Sequence, residues 1–410
     1  MRVAIFVGVF PCLSETFILD QIIGLLNNGH DVQIIAVNNS TEEIQQPVIA
    51  ENKLLERFRY LKADGIKRSA RVLECLSDIS SVASPPRLVR TVRRCWPFTT
   101  KKREFAKLLS ILNDDFDIVH CHFGPQGADA VEAREILGRD YPVVTSFHGS
   151  DMKPSAGSTR YDQLFVLGDA FIANTNYTKT VIGQLGCHPG KIKILPVGIN
   201  LDSNNMNDVC VSTDETLNVI TVARLVPFKG IEFAIKAMER LIRSGRKVTY
   251  KVIGAGPLQN ELARQINDLG LSNAVTLVGP KTREEVFNTF KQSDVFLLPS
   301  IEFEGRAETQ GLVLQEAQAV GLPVVASRVG GIPEGLSKQN QQFLFAPGNV
   351  DELVDRLQLA DDLRKQWPDI AKESQRFVRE NYDNDLLVSR LESIYEQCIE
   401  TSQELAHVNV

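Results

Sequence analysis

The chain has 410 residues, 43% of them hydrophobic and 23% charged, and a formal net charge of -6. That is long enough for two domains, each with its own core, and the acidic balance gives no reason to expect nucleic acid. No run approaches the roughly 18 to 20 apolar residues of a membrane-spanning helix. Seven cysteines, odd in number and without a C-x-x-C pair, argue against a disulfide framework and fit a reduced, cytoplasmic setting.

Residues 2–9 (RVAIFVGV) form a short apolar run that predicts a buried strand. A secretion signal is the competing reading, but Gly8 and Pro11 interrupt the run, Glu15 follows at once, and no small-x-small cleavage site appears. Ser14 is the expected N-cap of a helix through Asn28, Gly29 ends it, and residues 30–37 give the next strand. Residues 39–107 are less regular and mostly helical in composition. From position 53 to 107 there are 15 Lys or Arg against 5 Asp or Glu, a net +10 in an acidic chain, concentrated around Arg90, Arg93, Arg94, Lys101, Lys102 and Arg103. A solvated basic face explains this stretch. So does a membrane-surface or lipid-diphosphate patch, since each basic side chain near anionic lipid gains about 1 kcal/mol.

Strand, helix, strand recurs at residues 116–123, 127–138 and 142–148. Asp115 and Asp117 have the spacing of a metal-binding pair but lie at the start of the strand. Open parallel sheets bind ligands beyond the carboxyl ends, so these acids are read as structural. His120, Cys121 and His122 alternate across a strand and cannot all hold one ion, and no metal site is expected. His122 and His148 stand at carboxyl ends, where chemistry belongs. Residues 169–175, 177–186 and 191–196 complete a first domain over 1–198, with a basic helical insertion at about 40–107. The polar, turn-rich residues 199–215 read as a linker.

A second domain over 216–384 restarts with a strand at 217–223, followed by Arg224-Leu-Val-Pro-Phe-Lys229-Gly230 and a helix to Ser244. Two cations just past a strand end, with a glycine opening a helix, suit a phosphate. Residues 247–256 carry Gly254-x-Gly256. Gln259 occupies the third glycine position of a dinucleotide fingerprint, and no ribose-binding acid is evident downstream, which discounts a dehydrogenase. The most informative stretch is 299–334, PSIEFEGRAETQGLVLQEAQAVGLPVVASRVGGIPE. A buried strand at 294–298 leads into it, and it contains a helix at 312–320 closed by Gly321. Glu308 falls in the loop and Glu316 on the second helical turn. Glu302 and Glu304 are read as surface charges. The amides of Gly311, Leu312 and Val313 are first-turn donors at the positive end of the helix dipole. An anion site with a carboxylate on each flank is what a sugar joined to a diphosphate requires.

At this point the sequence resembles the retaining glycosyltransferases of family 4. Glu308 to Glu316 matches their Glu-x7-Glu signature, EAQAVGLPVVAS and GGIPE match its continuation, and Arg224 to Gly230 matches their RLxxxKG pattern. FPCLSETFILDQIIGLLNNGHDV is similar to the opening of a subgroup that builds exopolysaccharides, including the colanic-acid and amylovoran enzymes. GRAETQG differs from the family's usual Glu-Gly-Phe-Gly form around Thr309 and Gln310.

The resemblance spans nearly the whole chain and implies the GT-B fold: α/β, with two doubly wound Rossmann-like domains facing a central cleft. The acceptor would sit on the first domain and the nucleotide-sugar donor on the second, with residues 385–410 crossing back to the first. It implies transfer of a hexose, glucose or galactose, from a UDP-sugar with retained configuration and with no metal or other cofactor. The implied acceptor is a lipid-linked oligosaccharide or polysaccharide precursor, met by a cytoplasmic protein peripheral to the inner face of the membrane. In these terms Arg224 and Lys229 hold the diphosphate, Glu308 the sugar O3 and Glu316 the ribose. Gly311, Leu312 and Val313 offer amides, while Pro280 and Lys281 border the nucleobase. His148 binds the donor sugar and stabilises its transition state, and Glu15, Thr16 and His122 serve the acceptor side. Two other readings stay open. A non-hydrolysing nucleotide-sugar epimerase shares the architecture but needs a cluster of acids and His, and a catalytically idle sugar-nucleotide-binding protein needs neither Glu308 nor His148.

Overall fold

The computed structural model describes residues 1–12, 15–39, 49, 52, 54–62, 89–91, 94–95, 99–152, 161–201 and 215–408. The chain divides into two compact units. One comprises Met1–Asn174, Lys179–Leu195 and Val388–Val410, the other Thr175–Thr178 and Pro196–Leu387.

The first unit is built on seven parallel strands: β1 (Arg2–Phe10), β2 (Asp31–Asn39), β3 (Phe58–Tyr60), β4 (Ile118–His122), β5 (Val143–Phe147), β6 (Ala170–Ala173) and β7 (Ile192–Ile194), in the order β3-β2-β1-β4-β5-β6-β7. Every residue of β4, β5 and β6 is buried. Parallel strands covered on both faces read as unbroken apolar runs rather than alternating ones, which is why they stand out in the sequence. Helices α1 (Thr16–Asn27), α2 (Thr100–Leu112), α3 (Gly124–Leu137), α4 (Asp162–Leu167) and α5 (Asn176–Gln184), the last belonging to the first unit from Lys179 onward, connect them. Two expectations change here. Ser14 lies outside the described residues, and α1 has Glu15 at its N-cap with no side-chain bond to the helix. The stretch read as mostly helical contains β3, a three-residue edge strand too short to show a period. Much of the basic segment, Arg93 included, lies outside the described residues. Within them Arg94 pairs with Glu132 and covers the Phe105 ring, 4.7 Å from its centroid.

The second unit carries six parallel strands: β8 (Leu217–Val222), β9 (Val248–Ile253), β10 (Val275–Gly279), β11 (Val295–Leu298), β12 (Val324–Ser327) and β13 (Leu344–Phe345), in the order β10-β9-β8-β11-β12-β13. Its helices are α6 (Ile231–Arg243), α7 (Gln259–Asp268), α8 (Arg283–Phe290), α9 (Leu312–Val320), α10 (Val350–Asp362) and α11 (Trp367–Tyr382). Along α6 the buried residues Ile231, Ala234, Ile235, Met238 and Leu241 recur at helical spacing and form one stripe against the sheet. The final helix, α12 (Asn384–Val408), belongs to the first unit from Val388 onward. Tyr395 is completely buried there, and a Cβ on Gly24 would lie 2.6 Å from Val388, so only glycine lets α12 approach α1 so closely. Among the described residues no helix is long and apolar enough to cross a membrane.

In each sheet the order in which strands are added reverses beside the first strand, between β1 and β4 and between β8 and β11. Beyond the carboxyl ends at such a point the loops diverge and leave a crevice for ligand.

Candidate active site

At the switch point of the second unit the chain leaves β8 through Arg224 and leaves β11 through Ser300. Gly230, at φ 62°, caps α6 and lies so near the other loop that a Cβ would sit 2.1 Å from the Pro299 carbonyl oxygen. A side chain here would push the two loops apart. Their close approach brings Lys229 onto Glu308, 79 residues later, in an ion pair whose side chains are only 11% and 13% exposed. Ser300 Oγ donates to the same carboxylate oxygen at 3.4 Å. Lys229 Nζ also stands 5.1 Å from the centroid of the Phe228 ring. Arg224 is exposed, and its guanidinium has no hydrogen-bond or ion-pair partner among the described residues.

The GGIPE segment supports Glu308 from behind. Gly331 N–H donates to the Glu308 carbonyl at 2.8 Å. A Cβ on Gly330 would lie 2.0 Å from that oxygen, and one on Gly331 would lie 1.8 Å from the Thr309 carbonyl oxygen. Gln318 of α9 pins the same segment, donating to the Gly335 carbonyl and accepting from Ser337 N–H, both at 2.8 Å. Glu334 accepts from Asn176 N–H, Asn176 Nδ2 and Tyr177 N–H at 2.7, 2.8 and 2.8 Å, filling the open donors at the start of α5. The unusual Thr309-Gln310 pair is scaffolding. Both residues are buried; Gln310 bonds both backbone groups of Val197, at 2.8 and 2.9 Å, and Thr309 offers its carbonyl to Thr175 Oγ at 2.9 Å.

Gly311, at φ 73°, is the N-cap of α9, and the amides of Leu312 and Val313 open its first turn, where the carbonyls four residues back, of Glu308 and Thr309, lie outside the helix and accept from Gly331 and Thr175 instead. Glu316 sits on the second turn, 3.9 Å from Arg283 Nε. The two signature acids therefore answer to different cations, Glu308 to Lys229 and Glu316 to Arg283. Pro280 and Lys281 follow β10 and are exposed. Lys281 bonds Glu285 at 2.7 Å, and that contact with the Thr282 bonds holds the Glu285 carboxyl down to about 2.

The first unit gathers three histidines. His120 and His122 share one face of β4, ring centroids 4.5 Å apart, and His122 Nδ1 lies 3.0 Å from His148 Nε2. His120 is held by Tyr395 Oη at 2.6 Å and Ser146 Oγ at 2.8 Å. His148 is flanked by Phe17 and Phe123, with centroids at 4.8 and 4.9 Å, and its loop is tied by Asp151, which accepts from the N–H groups of Gly124, His148 and Gly149. Burial pushes His120 and His148 down to about 3, with neighbouring His148 adding to the fall at His120, and holds His122 well below its usual value. All three rings are therefore neutral at pH 7. Glu15 and Thr16 open α1, half-buried. Asp115 bonds Arg139 at 2.8 Å and Asp117 accepts Arg2 N–H at 2.6 Å, the structural roles expected of them. Glu302 and Glu304 are exposed, also as expected. Among the described residues no group of three or more His, Cys, Asp or Glu side chains is placed to hold a metal ion.

Sequence reasoning missed Ser300, Arg283, Phe17, Asp151 and Tyr395. Asp151, three residues after His148, was legible as a loop-closing acid; the others owe their place to long-range packing.

The family model described as Glycosyltransferase Family 4 matches residues 14–203, and the one described as Glycosyl transferases group 1 matches residues 207–393. The amylovoran biosynthesis glycosyltransferase AmsK of Erwinia amylovora is 30% identical over 363 residues, which cover 86% of this chain and 89% of AmsK. This chain belongs to the family 4 glycosyltransferases. WcaL of Salmonella typhimurium, a glycosyltransferase provisionally named for colanic acid biosynthesis, is 30% identical over 370 residues, 87% of this chain and 90% of WcaL. Among solved structures, Anabaena Alr3699/HepE in complex with UDP and glucose superposes with a TM-score of 0.70 at 18% identity, covering 97% of this chain and 100% of that one. The fold is GT-B and the glycosyltransferase is an enzyme of sugar transfer, which sets aside the epimerase and the idle binder.

Proposed function

We propose that this glycosyltransferase moves a hexose, glucose or galactose, from UDP to a hydroxyl of a lipid-linked oligosaccharide or polysaccharide precursor, with retention and without a metal. The observation that carries the reading is the Lys229–Glu308 pair, with Arg224 unpartnered among the described residues, at the switch point of the second sheet. Cleaving the glycosyl phosphate bond leaves negative charge on the diphosphate. Cations and amides fixed in advance stabilise that charge where it develops. Arg224, Lys229 and the amides of Gly311, Leu312 and Val313 supply them. Once phosphate takes over Lys229, the Glu308 carboxylate turns to the sugar O3, while Glu316 holds the ribose hydroxyls and Pro280 with Lys281 borders the uracil. His148, neutral, orients the donor sugar. The leaving phosphate takes the acceptor proton on the face where it departs, so no protein base is required. Glu15 and Thr16 serve the acceptor side; His122, expected with them, is 1% exposed and bonded to His148, so it offers no surface to an acceptor.

The names of AmsK and WcaL support an exopolysaccharide product, and the UDP and glucose bound by HepE support the donor. We place its action at the cytoplasmic face of the membrane, a reading that the basic excess over residues 53–107 supports. A thermal-shift panel of UDP, GDP, ADP and NAD, with and without EDTA, tests the reading. We expect UDP to stabilise the protein equally in both conditions; stabilisation by NAD alone, or only with added metal, overturns it. Labelled UDP-hexose turnover should then fall in Glu308→Ala and Arg224→Ala, and NMR coupling constants should show an axial product anomer.

A further inference from the structure

The histidines of the first unit define more than an enclosure. The His122 and His148 rings are inclined by only 13°, their facing nitrogens are 3.0 Å apart and their centroids 5.3 Å apart. That separation is as large as such a contact allows, so the rings meet edge to edge in nearly one plane, the geometry of a straight N–H···N bond. One of the two must donate. His122 is 1% exposed, and its other nitrogen, Nε2, is buried with no hydrogen-bond partner. If His148 donated, the neutral His122 would carry its proton on Nε2 and bury an unpaired N–H. If His122 donates from Nδ1, only a lone pair is left unpaired at Nε2. Orphaned N–H groups are the rarer and costlier of the two in folded proteins. His120 cannot relieve His122, because both of its nitrogens are taken by Tyr395 and Ser146.

We propose that His122 is a positioning residue: its Nδ1–H donates to His148 Nε2 and fixes His148 as the neutral Nδ1–H tautomer. His148 then carries its proton on Nδ1 and has no lone pair left on the ring to act as a base. The catalytic consequence rests on the reading of His148 given above; the tautomer does not. It also accords with a mechanism in which the departing phosphate, not the protein, takes the acceptor proton. Tyr395 of α12 and Ser146 complete the arrangement by holding His120 beside the His122 ring.

Ring nitrogen NMR of the full chain labelled at histidine, with His148 assigned from a His148→Asn variant, reads the tautomer directly. We expect a protonated Nδ1 and an unprotonated Nε2 at His148 in the wild type at pH 7. His122→Phe, which keeps a ring but loses the donor, should shift His148 toward the Nε2–H form that free imidazole side chains prefer. His122→Asn, whose side-chain amide can donate from the same place, should hold it. With UDP-glucose as donor, kcat should drop roughly tenfold in His122→Phe, as expected for one lost hydrogen bond, with little change in donor KM, and recover in His122→Asn. A protonated Nε2 on His148 in the wild type overturns the proposal without any variant, and so does a His148 spectrum unmoved by His122→Phe. Full activity of His148→Ala, with the wild-type tautomer as assigned, would instead remove His148 from the reaction and leave the positioning intact.

Discussion

The charge of Lys229 is engaged by Glu308, so on the proposed reading an incoming diphosphate competes with a carboxylate for that cation. A hydrogen bond between charged groups contributes about 1.5 to 3 kcal/mol, and side-chain exposures of 11% and 13% leave this pair incompletely screened. Glu308→Gln keeps the shape, removes the charge and frees Lys229. UDP, which has no hexose to miss the carboxylate, should therefore bind about tenfold more tightly, a gain of about 1.4 kcal/mol. Lys229→Met should weaken UDP by roughly tenfold or more, having lost a charge-assisted contact. Hexose transfer by Glu308→Gln should nonetheless fall on the order of 100-fold, since a group aligned on the reacting sugar is gone. Isothermal titration with UDP in EDTA reads the affinities and labelled UDP-hexose the turnover. If Glu308→Gln weakens UDP as much as Lys229→Met does, carboxylate and phosphate do not compete for Lys229 and the reasoning fails.

Gly331→Ala would place a methyl 1.8 Å from the Thr309 carbonyl oxygen, a backbone clash that no rotamer relieves. It should cost about 1 to 3 kcal/mol in chemical denaturation and displace Glu308 as well; an unaltered midpoint and full activity would show that GGIPE does not support the site. Arg224→Ala touches an exposed side chain with no partner among the described residues, so stability should hold within about 0.5 kcal/mol while UDP affinity drops about tenfold in titration. The neutral histidines tie stability to pH. His120 is depressed to about 3 when folded and regains its usual value of about 6.5 when unfolded, so the unfolded chain binds the extra proton between those values. Stability is full above about pH 6.5 and falls on acidification toward pH 3, with a slope of up to about 1.4 kcal/mol per pH unit for this group alone. Denaturation at pH 7 and pH 5 should show a smaller loss in His120→Gln than in the wild type; equal losses would mean that His120 titrates normally in the fold.

Local pattern exposed the strands, the helix around Glu316 and the cations Arg224 and Lys229, because doubly covered parallel strands are unbroken apolar runs and the glycines at 230, 311 and 321 mark turns that need positive φ. The pairings were not legible. Nothing near Lys229 in the chain announces Glu308, and nothing near Val197 announces Gln310, 113 residues on. These contacts follow from which strands become neighbours, a property of the whole sheet. Glu316 shows the limit of spacing arguments: eight residues after Glu308 it lies on the expected turn, yet its partner Arg283 comes from another helix. His120 was read only against a metal site, and His122 as an acceptor-side residue at a strand end. That two residues apart on a strand put them on one face, in line with a third histidine from the next strand's end, shows only once β4 and β5 are paired.

The central claim is that the second unit grips a diphosphate with Arg224, Lys229 and the opening amides of α9. The most direct measurement is a crystal of the enzyme soaked with UDP-glucose in EDTA. The account predicts phosphate oxygens within hydrogen-bond reach of those cations and of the Leu312 and Val313 amides, with Glu308 released from Lys229 onto the hexose. Nucleotide density anywhere else, with the Lys229–Glu308 pair intact, would contradict it.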